Sequence, residues 1–191
     1  MLLDGLVAAE EAAELIRVSE ALGFREIVKN ISDNYDQSLP SRTHLRCIIH
    51  STPLADFLWP RIAPHIPREF VSGREGTFRA IRLNPCFRAM RYDADQLFAP
   101  HTDTVYRSRD GVSEVSFLTV VLYLNEGYEG GELRFLLNRA GGADNALLTV
   151  MPRAGMVAIF QHDLLHEAAP PLGSTPKYIY QTDVIYSKVG R

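Results

Sequence analysis

Hydrophobic residues recur at helical spacing in the first third of the chain. In residues 6–22, Leu15, Val18 and Leu22 fall at positions i, i+3 and i+7, and glutamates occupy much of the remaining surface. This pattern predicts an amphipathic helix. A second apolar stripe of the same period predicts another helix over residues 53–62, ended by the prolines that follow it.

The apolar positions change to a period of two from about residue 77. Short runs separated by turn residues predict strands at residues 78–83, 87–92, 116–124, 133–137, 146–150, 156–160, 166–169 and 178–186. Many short strands at regular spacing indicate a sandwich, barrel or jelly roll. Residues 30–43, rich in Asp, Ser, Asn and Pro, predict a loop. We expect one α+β, mainly β domain over residues 1–191, with helices and loops in residues 1–76 and the β core in residues 77–191.

Composition narrows the class of protein. The chain has 191 residues, a formal net charge of −3 and 46% hydrophobic residues, which excludes a disordered chain and disfavours a nucleic-acid partner. No apolar run approaches the ~18 residues of a membrane span, and no signal segment opens the chain, so we expect no membrane partner. Cys47 and Cys86 are isolated, which excludes a disulfide framework and favours a cytoplasmic location.

Three residues can form a metal site. Residues two apart on an extended segment point to the same side, so His101 and Asp103 can converge on one ion. Such a tripeptide also arises by chance in loops, and the alternative is two surface histidines and a turn aspartate. His166 supplies a third ligand, and two imidazoles with one carboxylate are the ligand set of non-haem Fe(II) oxygenases. His162 competes with His166 for this place and is otherwise an exposed residue or a support for the ligands.

Lys177 begins the last predicted strand. By strand alternation it shares one face with Ile179, Gln181 and Asp183. A lysine that begins an apolar strand is usually a solvated edge charge. Beside a metal site it can instead provide the counter-charge for an anionic co-substrate, as a compact point charge with three donors.

An ordered series of motifs runs from residue 82 to residue 186. It comprises Arg-Tyr-Asp-Ala-Asp-Gln-Leu-Phe-Ala-Pro-His-Thr-Asp at 91–103, Leu-Thr-Val-Val-Leu-Tyr-Leu-Asn at 118–125, Gly-Gly-Glu-Leu at 130–133, Pro-x-x-Gly at 152–155, Phe-x-His-x-x-x-His-Glu at 160–167, Lys177, and Asp-x-x-Tyr at 183–186. In order and spacing the series resembles the Fe(II)- and 2-oxoglutarate-dependent oxygenases, specifically their prolyl-4-hydroxylase-like branch. The order is far more specific than any single motif.

The resemblance implies a double-stranded β-helix, a cupin-like jelly roll braced by N-terminal helices, in which His101, Asp103 and His166 bind Fe(II). It also implies that Lys177 pairs with the distal carboxylate of 2-oxoglutarate and that Tyr92 lends its hydroxyl to the same co-substrate. O2 is then the second co-substrate, and ascorbate an accessory reductant. The branch often carries a tyrosine immediately before the Tyr-Leu-Asn of this motif, where this chain has Leu122.

The expected activity is the oxidation, most simply the hydroxylation, of an aliphatic C–H in a small-molecule or amino-acid-like substrate, with release of succinate and CO2. Asp103 supports hydroxylation, because related halogenases carry a small residue at that position. The alternatives are hydroxylation of peptidyl proline and a cupin-like protein that binds a metal or ligand without turnover. A nucleic-acid demethylase is disfavoured by the charge balance, and the oligomeric state stays open.

Substrate choice is expected to reside in side chains outside the motifs. Arginines on two neighbouring strands and in the preceding loop usually form a solvated face, but one of them can enter the cavity and bind a substrate carboxylate or phosphate; they are Arg42, Arg46, Arg79, Arg82, Arg88 and Arg91. His44, His50 and His65 are expected to be structural or exposed. Residues 104–116 form either a lid, with Tyr106 and Arg107 toward the substrate, or a plain connector.

Overall fold

The alternating stretches after residue 77 form most of the strands in the structure, a computed structural model that describes residues 1–26 and 42–190. Its helices are α1 (Ala9–Leu22) and α2 (Thr52–Ile62), with 3-10 turns at Ala63–His65 and Ala143–Asn145. Its strands are β1 (Leu2–Leu3), β2 (Arg25–Glu26), β3 (Leu45–His50), β4 (Glu69–Ser72), β5 (Gly76–Leu83), β6 (Cys86–Tyr92), β7 (Phe98–His101), β8 (Glu114–Tyr123), β9 (Glu129–Gly130), β10 (Leu133–Leu136), β11 (Ala146–Val150), β12 (Val157–Gln161), β13 (His166–Ala168), β14 (Pro171–Leu172) and β15 (Lys177–Lys188). Most of the predicted loop at 30–43 lies outside the described residues.

Two antiparallel sheets make the body of the fold. The larger has the order β1-β12-β8-β15-β6-β3-β2, and β5, itself paired with β4, lies against the second half of β15. The smaller has the order β11-β10-β13-β7, and β9 and β14 form a separate pair. Apolar side chains of both sheets pack together between them, among them Met90 and Ile179 from the larger sheet and Leu133 and Val150 from the smaller. This is the predicted mainly β jelly roll.

The outer face of the larger sheet packs on the two helices. Leu58 and Ile62 of α2 are fully buried in this second core. In α1 the buried residues are Ala12 and Ser19, whereas Leu22, which we placed in the apolar stripe, is 58% exposed. None of the helices in the described ranges is long and apolar enough to cross a membrane.

The expectation of only helices and loops before residue 77 is wrong. β1, β2, β3 and β4 all precede that residue, and β3 pairs with β6 over its whole length, from Leu45↔Arg91 to His50↔Cys86. Residues 45–50 do not alternate cleanly between apolar and polar, so their strand depends on a partner about 40 positions away. Strand β3 extends the larger sheet beyond β6, next to the residues of the site described in the following section.

Candidate metal centre and adjoining cavities

Sheet pairing brings the three predicted metal ligands together. β7 ends at His101 and β13 begins at His166, and these two residues are directly opposed across the antiparallel pair. Asp103 follows two positions after His101, with its backbone N–H donating to His162 O at 2.9 Å. The Nε2 atoms of His101 and His166 each lie 3.8 Å from an Asp103 carboxylate oxygen. One ligand atom from each residue lies within 4.8 Å of the others, so the three can hold one metal ion.

Each histidine is oriented by a local hydrogen bond. Nδ1 of His101 lies 2.8 Å from Ala99 O, and Nδ1 of His166 lies 2.8 Å from Leu164 O. Because a carbonyl only accepts, both Nδ1 atoms carry the proton and both Nε2 lone pairs are available to a metal. Burial, together with the neighbouring His166, holds the pKa of His101 well below its usual range, so its imidazole is neutral at neutral pH.

Both oxygens of the Asp103 carboxylate are held by hydrogen bonds. Thr119 Oγ1 donates to Oδ2 at 2.5 Å and Gln181 Nε2 donates to Oδ1 at 3.1 Å. Burial disfavours ionisation of this group, but the adjacent His166 and the Thr119 hydroxyl outweigh it and lower its pKa. Asp103 is therefore a carboxylate held in one orientation.

His162 is buried, not exposed, and supports Asp103 through Thr119. Its Nδ1 lies 2.8 Å from Thr119 Oγ1, and its Nε2 lies 2.8 Å from Ser116 Oγ. The single hydroxyl hydrogen of Thr119 goes to Asp103, so Nδ1 of His162 must be the donor to Thr119. Of the two competing histidines, His166 is the one whose ring nitrogen converges with the ligand atoms of His101 and Asp103.

A buried lysine lies at the far end of the cavity that adjoins the histidines. Lys177 is 1% exposed, and its Nζ lies over the rings of Tyr92 and Tyr123, at 5.1 and 5.6 Å from their centroids. Nζ donates to Gly131 O at 2.6 Å. Burial lowers the pKa of Lys177 to about 7, against a weaker opposing effect of Glu132. A buried ammonium of this kind is a strong site for an anion.

The cavity between Lys177 and the histidines is mostly apolar. Cross-strand pairing places Tyr92 directly opposite Lys177, and the Tyr92 hydroxyl donates to Met90 Sδ at 3.6 Å. Gly131, the hydrogen-bond partner of Lys177, has a left-handed conformation, with φ of 72°. A Cβ there would lie 2.9 Å from the Tyr128 ring and 3.3 Å from Lys177 Cδ, so only glycine fits.

Tyr123 is the residue that the sequence interpretation missed. We compared position 122 with the tyrosine of the branch, but Leu122 is fully buried in the core against the helices, on the opposite face of β8. Tyr123 lines the lysine cavity. Strand alternation carries this signal, because residues 119, 121 and 123 share a face.

A second, polar cavity of about 620 Å³ lies on the other side of His101 and Asp103. Its lining includes Arg42, Arg46 and Arg88, so the predicted arginine cluster is divided. The other three pair with carboxylates outside it: Arg79 with Glu69, Arg82 with Glu114, and Arg91 with Asp93 and Glu20.

The other residues singled out in the sequence divide between buried and exposed positions. His44 is buried and lines the polar cavity, whereas His50 and His65 are exposed. Arg107 pairs with Glu75 at 2.9 Å and does not line either cavity, which argues against its predicted contact with a substrate.

A family model described as the 2OG-Fe(II) oxygenase superfamily matches residues 87–182, just over half of the chain. The chain belongs to this superfamily. The oxygenase uses the cofactors of its family, Fe(II) and 2-oxoglutarate, and the donor set found here suits that metal, since two imidazoles and a carboxylate leave positions open for a co-substrate. No curated protein matches the sequence.

Solved structures share the fold of this oxygenase at low sequence identity. A prolyl-4-hydroxylase from Pseudomonas putida has a TM-score of 0.62 and 18% identity, covering 100% of this chain and 92% of that one. A Trichoplax adhaerens prolyl hydroxylase in complex with a hypoxia inducible factor peptide has a TM-score of 0.61 and 16% identity, with coverages of 96% and 82%. HygX from Streptomyces hygroscopicus with nickel, 2-oxoglutarate and hygromycin B bound has a TM-score of 0.56 and 13% identity, with coverages of 99% and 82%.

Proposed function

We propose that this oxygenase hydroxylates an aliphatic C–H of a small-molecule or amino-acid-like substrate, with His101, Asp103 and His166 as the iron ligands. The observation that carries the proposal is the convergence of two Nε2 atoms and one carboxylate within 4.8 Å, with both imidazole tautomers fixed by backbone carbonyls. When bound, Fe(II) and 2-oxoglutarate supply the oxidation of the substrate at the expense of O2, with release of succinate and CO2.

In this proposal Lys177 pairs with the distal carboxylate of 2-oxoglutarate, and Tyr92 and Tyr123 complete the pocket. The support is the burial of the ammonium in the wall of a cavity that His101 and His166 also line. The apolar wall, with Leu133 and Ile179, excludes water from the ion pair and strengthens it. The anion would replace Gly131 O as the partner of Nζ or share Nζ with it.

The polar cavity beside His101 and Asp103 is then the place for the substrate. His101 and Asp103 line it, together with polar side chains that can orient a small molecule. Peptidyl proline is the second candidate, favoured by the fold shared with prolyl hydroxylases, one of which was solved with a peptide. HygX, solved with hygromycin B, represents the small-molecule alternative within the same fold.

Substrate-dependent release of succinate tests the proposal. The full chain with Fe(II), 2-oxoglutarate and O2 is offered free amino acids, aliphatic acids and a proline-rich peptide, and succinate and oxygenated product are measured together. We expect one small molecule to raise succinate release in proportion to its own oxidation. Stimulation by the peptide alone would favour the second candidate. Bound metal without any decarboxylation of 2-oxoglutarate would favour a cupin-like binding protein instead.

A further inference from the structure

Three guanidinium groups converge on the polar cavity beside the metal ligands. Arg42 precedes β3, Arg46 lies within it, and Arg88 lies on the neighbouring β6, where the pairs Arg46↔Met90 and Ile48↔Arg88 place them close together. The two strands meet through sheet pairing, so the cluster is a product of the fold. The same cavity is lined by His101 and Asp103.

Arg42 is placed by aromatic stacking close to the metal ligands. Its Cζ lies 4.4 Å from the centroid of the Phe98 ring, and that ring stacks on the His101 ring with centroids 3.4 Å apart. The guanidinium therefore lies at most about 8 Å from the His101 ring, a distance that one small molecule spans. Phe98 and Arg42 are also joined by a backbone bridge, which fixes the start of the Arg42 side chain.

Among the described residues that line this cavity, the three arginines outnumber the two carboxylates, Asp103 and Asp183. Arg88 lies 3.3 Å from Asp183, a buried carboxylate that also accepts from Asn84. Ion pairs of Arg42 or Arg46 do not occur within residues 1–26 and 42–190. Arg42 as a whole is exposed, but partial desolvation of its guanidinium, then repulsion by Arg46 and Arg88, lowers its pKa, against weaker opposing effects of Tyr92 and Asp103. An anion bound in the cavity would offset the repulsion among the arginines.

We propose that Arg42 and Arg46 bind a carboxylate group of the substrate, and that Arg88, held by Asp183, forms a fixed part of the same wall. The inference rests on the proposed function and narrows its substrate class to small carboxylic acids, including free amino acids. His44, buried against the Tyr92 and Phe98 rings and with no partner for Nδ1 among the described residues, gives the cavity a further polar group. Planar guanidinium groups suit this role because they can bind a carboxylate through two parallel hydrogen bonds.

Matched acids and amides test the assignment. Free amino acids and aliphatic carboxylic acids are compared with their carboxamides in the succinate-release assay, with the iron-loaded full chain. We expect at least one acid to be oxidised and its amide to be at least about tenfold poorer in kcat/KM. Arg42→Gln and Arg46→Gln should each raise the KM for the acid about 10- to 100-fold, the loss expected for a charged hydrogen bond. Arg79→Gln is the matched control, since Arg79 is exposed and pairs with Glu69 outside the cavity.

The outcomes separate this inference from the proposed function. Amides oxidised as well as acids, no acid oxidised at all, or an unchanged KM in both arginine variants would each overturn the carboxylate site. The visible absorption band of the Fe(II)–2-oxoglutarate chelate, measured without O2, reports the proposed function separately. If the wild-type protein lacks this band, the proposed function has failed; if the band is present and acids are not preferred, only the carboxylate site has.

Discussion

Replacing Lys177 with methionine should raise the stability of the cofactor-free protein and strongly weaken its binding of 2-oxoglutarate. The ammonium is 1% exposed, and burial lowers its pKa from 10.5 to about 7. At about 1.4 kcal/mol per pKa unit, holding this charge in the folded protein costs on the order of 5 kcal/mol. Methionine has a similar length and no charge, so Lys177→Met removes that cost.

Part of the gain is offset by lost contacts. Nζ donates to Gly131 O at 2.6 Å, and a hydrogen bond from a charged group contributes about 1.5–3 kcal/mol. The rings of Tyr92 and Tyr123 also stabilise the ammonium. We therefore expect a net gain of about 2 kcal/mol, which corresponds to a rise in Tm of about 4–8 °C for a chain of this size.

In the proposed binding mode, the same substitution would leave the distal carboxylate of 2-oxoglutarate buried without a partner. Breaking a buried ion pair costs about 3–5 kcal/mol, so the Kd for 2-oxoglutarate should rise by about 10²- to 4 × 10³-fold. Urea unfolding of the metal-free protein and anaerobic calorimetric titration measure the two effects. Lys188→Met, at the exposed end of the same strand, is the control and should change neither. A destabilised Lys177→Met that binds 2-oxoglutarate normally would refute the reasoning.

Lys177 and Thr119 lead to three further predictions. Above pH 7 the free protein loses the Lys177 proton, so binding of 2-oxoglutarate should take up a proton and weaken by up to about tenfold per pH unit. Calorimetry in buffers of different ionisation enthalpy measures this proton uptake. Lys177→Arg should abolish the pH dependence. Because the pKa of Lys177 is lower in the folded than in the unfolded protein, the metal-free protein should become more stable as pH rises from about 7 to 10.5. Urea unfolding across that pH range measures this change, and a stability that does not vary with pH would contradict it. Thr119→Val should lower the affinity for Fe(II) about 10- to 100-fold, because it removes the hydroxyl that binds both Asp103 and His162. Thr119→Ser should restore the affinity. Equal affinities in the wild type and both variants would show that the hydroxyl does not position Asp103.

Local sequence patterns were sufficient to predict which face of a strand a side chain lies on, because alternate residues of a strand share a face. The alternation of the last strand placed Lys177 and Gln181 on one face, and the structure has the first in the lysine cavity and the second on Asp103. The same reasoning applied to residues 119–123 would have identified Tyr123, and applied to residues 88–92 it would have placed Arg88 with Tyr92. Tyr123 was therefore missed although its signal was present in the sequence, and Arg88 was named only as one of six candidate arginines.

Other features depend on partners far along the chain. β3 lacks clear alternation and is defined by its pairing with β6, so neither the strand nor the entry of Arg46 into the cavity could be read locally. The opposition of His101 and His166 likewise arises from the pairing of β7 with β13, across 65 positions of sequence. The sequence motifs named these ligands through family resemblance, whereas their proximity required the folded sheet.

Anaerobic titration with Fe(II) and 2-oxoglutarate tests the central claim most directly. For the wild-type protein we expect one equivalent of Fe(II) and the visible absorption band of the chelate. Asp103→Ala and His166→Ala should lose the band and most of the metal affinity, while His50→Ala, an exposed histidine away from the site, should behave as wild type. Full retention of metal and co-substrate binding in Asp103→Ala and His166→Ala would contradict the account.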